Sequence, residues 1–110
     1  MFDDPTTTLV KMSTNEAKTK RAVLLQSDGN ATVDFALHVS VMDFEDTLLG
    51  KEIGNTFTAD RNHGATEIDS SSINLNWICN DTLQIDYDKK LRTFLQKNKV
   101  DQVKIIYIPR

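Results

Sequence analysis

The chain has 110 residues, 39% hydrophobic and 26% charged, the proportions of one globular domain rather than of a membrane span or a disordered tail. One cysteine, Cys79, excludes an internal disulfide framework and a Cys-rich zinc site, and two histidines, His38 and His63, leave little for a metal centre. A net charge of −3 argues against nucleic acid as the main partner, because phosphate contacts need a positive face.

In chain order, the start Met1-Phe2-Asp3-Asp4-Pro5 carries acids where a secretory signal needs bases. No apolar run approaches the ~20 residues that span a bilayer. The expected location is therefore cytoplasmic, with no membrane partner. A strand is expected over 7–12. Another runs from Arg21 to Gln26 and ends at the turn Ser27-Asp28-Gly29-Asn30. Phe35, Leu37, Val39 and Val41 alternate with Ala36, His38, Ser40 and Met42, the clearest half-buried strand in the chain. Residues 43–72 are poor in large apolar side chains and hold Gly50, Gly54, Gly64 and Ser70-Ser71-Ser72, which predicts long loops around one short strand at 56–59.

Ile73, Leu75 and Trp77 alternate with Asn74, Asn76 and Ile78, and Leu83, Ile85 and Tyr87 with Gln84 and Asp86. Cys79-Asn80-Asp81 lies between the two runs, and Asn and Asp tolerate the left-handed backbone of a tight turn, so residues 73–87 are predicted to form a β-hairpin. The tripeptides Asn30-Ala31-Thr32 and Asn80-Asp81-Thr82 match the glycosylation sequon but are read as turn chemistry. Asp88 is placed to cap a short helix near 89–97, with Leu91, Phe94 and Leu95 on one face. Val103, Ile105 and Tyr107 alternate with Lys104, Ile106 and Ile108; both faces are largely apolar, so this strand is expected to be central or covered on both sides. The expected fold is one mainly-β domain over 1–110. It is an antiparallel β-sandwich or partly open barrel of about seven short strands with one short helix.

Charge is unevenly laid out. Residues 1–21 hold three acids and four bases, residues 22–88 twelve acids and two bases, and residues 89–110 one acid and seven bases. Two consequences compete. The basic end can fold back and neutralise the acidic middle internally, or the acids can form a face that steers a basic partner.

No motif declares a reaction. Asp60 and His63 are one pair of possible metal ligands, where a site needs three or four. Cys79 has no cationic neighbour in sequence to activate it and reads as a passive thiol. Ser70-Ser71-Ser72 lacks a nucleophile elbow, and the four glycines make no phosphate loop. The many carboxylates lie in acidic loops without a stated placement, and one Trp and two Tyr offer little to stack a sugar. Trp77, Phe35 and Phe57 read as core.

Several pieces together resemble a family of small bacterial domains of unknown function. They are Arg21-Ala22-Val23-Leu24, Asp28-Gly29-Asn30-Ala31-Thr32, Phe35 with Val39-Ser40-Val41, then Asn55, Phe57 and Ala59-Asp60 leading to His63-Gly64. Leu75, Trp77, the Asn80-Asp81-Thr82-Leu83 turn, Ile85, Tyr87 and the stretch from Val103 to Tyr107 complete the likeness, which spans about 21–107. The chain departs at Asn30, where the family tends to have Gly; Asn is the next-best residue for positive φ. The resemblance implies no activity and carries over no catalytic residue. In size, acidity and lack of chemistry the chain also looks like the immunity proteins paired with secreted bacterial toxins, such as those of contact-dependent growth inhibition.

The expectation is a cytoplasmic immunity protein, not an enzyme and without a cofactor or metal. It would block a cognate protein toxin, a cationic nuclease domain, by presenting acids where the toxin's cleft expects phosphates. The partner-binding residues expected are Asp43, Glu45, Asp46, Asp60, Glu67 and Asp69, since loops poor in apolar residues are free to face outward. The alternatives are a small hydrolase using His63 and nearby carboxylates, or an envelope-associated structural module.

Overall fold

The alternating segments build strands in both halves of the chain, as a half-buried pleated surface requires. The computed structural model describes residues 7–27, 36–45, 56–60 and 71–110. Among these the strands are β1 (Thr7–Thr14), β2 (Lys20–Ser27), β3 (Ala36–Asp43), β4 (Phe57–Asp60), β5 (Ile73–Cys79), β6 (Thr82–Tyr87), β7 (Arg92–Gln96), β8 (Lys99–Val100) and β9 (Val103–Pro109). They form a five-stranded sheet, β1-β2-β3-β4-β7, and a four-stranded sheet, β5-β6-β9-β8. The protein is mainly β, and its two sheets face each other across one core instead of closing into a barrel.

That core is built by period two. Ala22 and Leu24 of β2, Leu37, Val39 and Val41 of β3, and Phe57 and Ala59 of β4 point inward from the first sheet. Ile73, Leu75, Leu83, Ile85, Val103 and Ile105 meet them from the second. Phe57 is fully buried, with its ring centroid 5.3 Å from Tyr87 and 5.7 Å from Tyr107. The Tyr107 hydroxyl donates to the Lys97 carbonyl at 2.5 Å, with the Thr56 carbonyl at 3.2 Å, which ties the second sheet to the segments that follow β7 and precede β4. Burial, and secondarily the neighbouring Tyr87, raise the Tyr107 phenol well above its ordinary range. Trp77 is half-buried against the core, and its indole donates to the Ser13 carbonyl at 2.9 Å. The opposite face of the first sheet carries a second cluster, Val23, Leu25 and Met42.

Where β1 and β5 approach each other, side chains replace a backbone ladder. Lys11 Nζ donates to the Ile73 carbonyl at 3.0 Å and to Asn74 Oδ1 at 3.2 Å. A register shift between Leu9 and Lys11 bulges β1 at the same edge. Bulges and inward lysines are common devices for blunting an exposed strand edge.

Three expectations need correction. The segment 89–97 is not helical: Lys89 and Lys90 form a turn and Arg92–Gln96 is a strand. Asp88 does cap, since its Oδ1 accepts from the Lys90 amide at 2.9 Å and its carbonyl from Leu91, but it caps a turn. The segment is too short for a helix to be stable unaided, and the edge of β4 offers it a ladder, Phe57↔Gln96 through Asp60↔Arg92. Secondly, the sandwich is not wholly antiparallel, because β6 and β9 run parallel, Thr82↔Lys104 through Tyr87↔Pro109. The chain leaves β6, adds β7 to the first sheet and returns through β8, the long crossover that a parallel pair requires. As expected from its two apolar faces, β9 is central, between β6 and β8. Thirdly, the β5–β6 turn forms without left-handed backbone. Among the described non-glycine residues positive φ falls at Lys18 (58°), Asp101 (50°) and Gln102 (68°). The last two form the tight turn joining β8 to β9, opposite the pair Val100↔Val103.

Candidate functional site

The turns at one end of the sandwich are tied into a single surface by Asn15, which is 2% exposed. Its Oδ1 accepts from the amides of Thr19 at 2.9 Å and Lys20 at 3.2 Å, closing the β1–β2 turn. Its Nδ2 donates to Thr19 Oγ1 at 2.9 Å and reaches the other sheet to donate to the Asn80 carbonyl at 3.0 Å. Asn80 returns the contact, its Oδ1 accepting from the Ala17 amide at 2.8 Å. The Phe44 amide donates to the Thr19 carbonyl and the Lys104 amide to the Asp81 carbonyl, so the ends of β3 and β9 join the same frame.

This frame presents carboxylates together with the exposed Lys18 and Lys104. Glu16, Asp43, Glu45, Asp81 and Asp101 are all exposed. Lys20 sits among them, forming ion pairs with Asp43 and, at 2.7 Å, with Asp101. The hydrogen bond to Asp101, then that to Asp43, raises the Lys20 ammonium above its usual range. Asp81 Oδ1 accepts from the Cys79 thiol at 3.0 Å and the Thr82 hydroxyl at 3.2 Å, and these bonds hold its carboxyl below the usual range.

Of the six acids expected to face a partner, Asp43 and Glu45 are exposed on this end. Asp46, Glu67 and Asp69 lie outside the described residues, as does His63. Asp60 lies on the outer face of the first sheet but is covered there. It is 4% exposed, and Arg92 of β7 reaches it with Nη2 at 2.6 Å from Oδ2 and Nε at 3.3 Å from Oδ1. Arg110 likewise pairs with the buried Asp86 at 2.7 Å, where Gln84 Nε2 also donates at 2.8 Å. The basic end thus folds back on Asp60 and Asp86, while Asp43 and Glu45 stay at the surface. Glu16, Asp81 and Asp101 were not singled out by the sequence pattern; their gathering depends on which turns share an end.

A second polar constellation crosses the outer face of the first sheet. His38 of β3 places Nε2 2.9 Å from Ser27 Oγ of β2 and Nδ1 3.2 Å from Thr58 Oγ1 of β4. Burial lowers the His38 pKa, so the ring is neutral near pH 7. The sequence showed His38 on a strand but not its neighbours, because only the register Leu25↔His38↔Thr58 brings the three together.

Among the described residues, no three His, Cys, Asp or Glu side chains converge as metal ligands, and no helix is long and apolar enough to cross a membrane. Comparison with protein-family models, with curated proteins and with solved structures returned no match.

Proposed function

We propose that the protein is a cytoplasmic immunity protein that binds and blocks a secreted bacterial toxin, a cationic nuclease domain, through the acidic end of the sandwich. Neither nucleic acid nor membrane is a partner in this reading. The observation that carries it is the joining of exposed Asp43 and Glu45 to Asp81 and Asp101 on one frame, fixed across both sheets by Asn15. A frame held by the hydrogen bonds of the buried Asn15 presents its charges without first ordering them, which lowers the cost of association. A toxin cleft built for phosphates meets carboxylates there, and the charges act chiefly on the association rate. A stable inhibitory interface of this kind buries about 1,600 Å² in total.

The test is protection of growth. The reading expects the gene directly upstream to encode a large secreted protein with a variable C-terminal domain, and that domain is expressed in cells with or without this chain. Wild type restores growth and Asp43→Lys/Glu45→Lys restores it less well at equal abundance. Absence of protection by wild type overturns the proposal.

A further inference from the structure

The Ser27–His38–Thr58 line has the arrangement that activates a weak nucleophile: a hydroxyl within hydrogen-bond reach of a base, and the base oriented by a third group. We propose that Ser27 is an acyl-accepting nucleophile, with His38 its general base and Thr58 the residue that positions His38, acting on esters of short, uncharged acyl groups. This inference stands apart from the immunity reading and uses the other face of the molecule's first sheet.

The geometry supports each role. Ser27, His38 and Thr58 are all partly exposed, so solvent and a small ester can reach them. In the tautomer this role needs, Ser27 Oγ donates to Nε2 and the neutral ring's one N–H, on Nδ1, donates to Thr58 Oγ1. That bond fixes both tautomer and ring plane. Strands, not loops, supply all three residues, and neighbouring ladders hold their backbones in register.

The surroundings set the substrate class. On the same face, the register partner of His38 is Leu25 and that of Thr58 is Leu95; Ala36 is paired with Ser27. The described charged groups on this face are Arg21, at the far end of β2, and Asp60 of β4, which is paired with Arg92 of β7. An uncharged acyl group suits such a surface better than a carboxylate or an amine.

The step balances without a further reagent. Ser27 Oγ forms a bond to the acyl carbon while its proton passes to His38 Nε2. The ester C–O bond breaks, and the leaving alkoxide or phenolate takes that proton. Water then attacks the acyl-Ser27 with its proton going to His38, and Ser27 is released with the proton returned.

The experiment treats the full chain with p-nitrophenyl acetate, follows p-nitrophenolate release, and locates the acetyl group by peptide mass analysis. The expected result is acetyl on Ser27. Ser27→Ala abolishes that adduct and His38→Gln slows it roughly 100-fold. The rate rises with pH and levels off below the ordinary histidine range, and this profile is lost in His38→Gln. Thr58→Val slows acetylation roughly tenfold and Thr58→Ser restores it, at unchanged circular dichroism. Acetyl groups on lysines with none on Ser27, or equal Ser27 rates in wild type and His38→Gln, would overturn the proposal.

Discussion

Replacing Arg92 by Met removes the guanidinium that neutralises Asp60 while keeping an apolar stem to pack where the Arg side chain lay. The Asp60 side chain is 6% exposed and receives both Nη2 and Nε, whereas the Arg92 side chain is 39% exposed and lies 4.9 Å over the Phe94 ring. Taking one partner from a buried pair costs about 3–5 kcal/mol, because the remaining charge keeps its desolvation penalty. Water at the exposed guanidinium screens part of this, which brings the expected loss to about 2–3 kcal/mol. For a domain of this size that lowers the thermal midpoint by roughly 10 °C. Urea unfolding at neutral pH reads it directly. Asp60→Asn placed on top of Arg92→Met removes the buried carboxylate that Arg92 neutralised and recovers part of the loss. A loss below about 0.5 kcal/mol for Arg92→Met, or a double variant no better than the single one, would refute the view that Asp60 is a structural ion-pair partner.

Two further predictions concern the frame and the outer face. Asn15→Ala leaves the Thr19 and Lys20 amides and the Asn80 carbonyl without their side-chain partner, and is expected to cost about 2–3 kcal/mol in urea unfolding; a change within 0.5 kcal/mol would mean the turns hold without it. His38 has a folded pKa below its unfolded value of 6.5, so the unfolded chain binds more protons as the medium is acidified. Stability is therefore complete above that unfolded value and falls as pH drops through it towards the folded pKa. The difference in urea midpoint between wild type and His38→Gln should narrow over that window, and a constant difference would contradict a lowered pKa.

Most of the strands were legible because burial on one face writes itself as alternation. The runs at 35–42, 73–78, 83–87 and 103–108 each became β3, β5, β6 and β9 within a residue or two. Asp88 and the trio Leu91, Phe94 and Leu95 misled, since a capping residue before apolar residues at helical spacing is the same signal whether or not a strand edge waits nearby. Leu91 is buried before β7 begins, Phe94 falls at the register shift and is exposed, and Leu95 is half-buried on the outer face. Neither the parallel β6–β9 pair nor the Ser27–His38–Thr58 line could be read from one chain, as both depend on strand order. The acidic face was half legible. Asp43, at the end of β3, and Glu45 are exposed, but Asp60 sits in a strand whose outer face meets Arg92 and covers it.

In the proposed function, exposed acids at one end of the sandwich bring a cationic toxin to the protein. The direct measurement is the association rate with the proposed toxin domain, by stopped flow, from about 0.01 M to about 0.5 M salt, for wild type and Asp43→Lys/Glu45→Lys. Charge steering acts over roughly 30 Å at the lower salt and is screened within a few Å at the higher. The account predicts a wild-type rate that falls at least tenfold across that range, and a variant that is slow throughout, with a stability loss no larger than the about 0–1 kcal/mol of the broken Lys20–Asp43 surface pair. A wild-type rate independent of salt, matched by the variant at low salt, would contradict it.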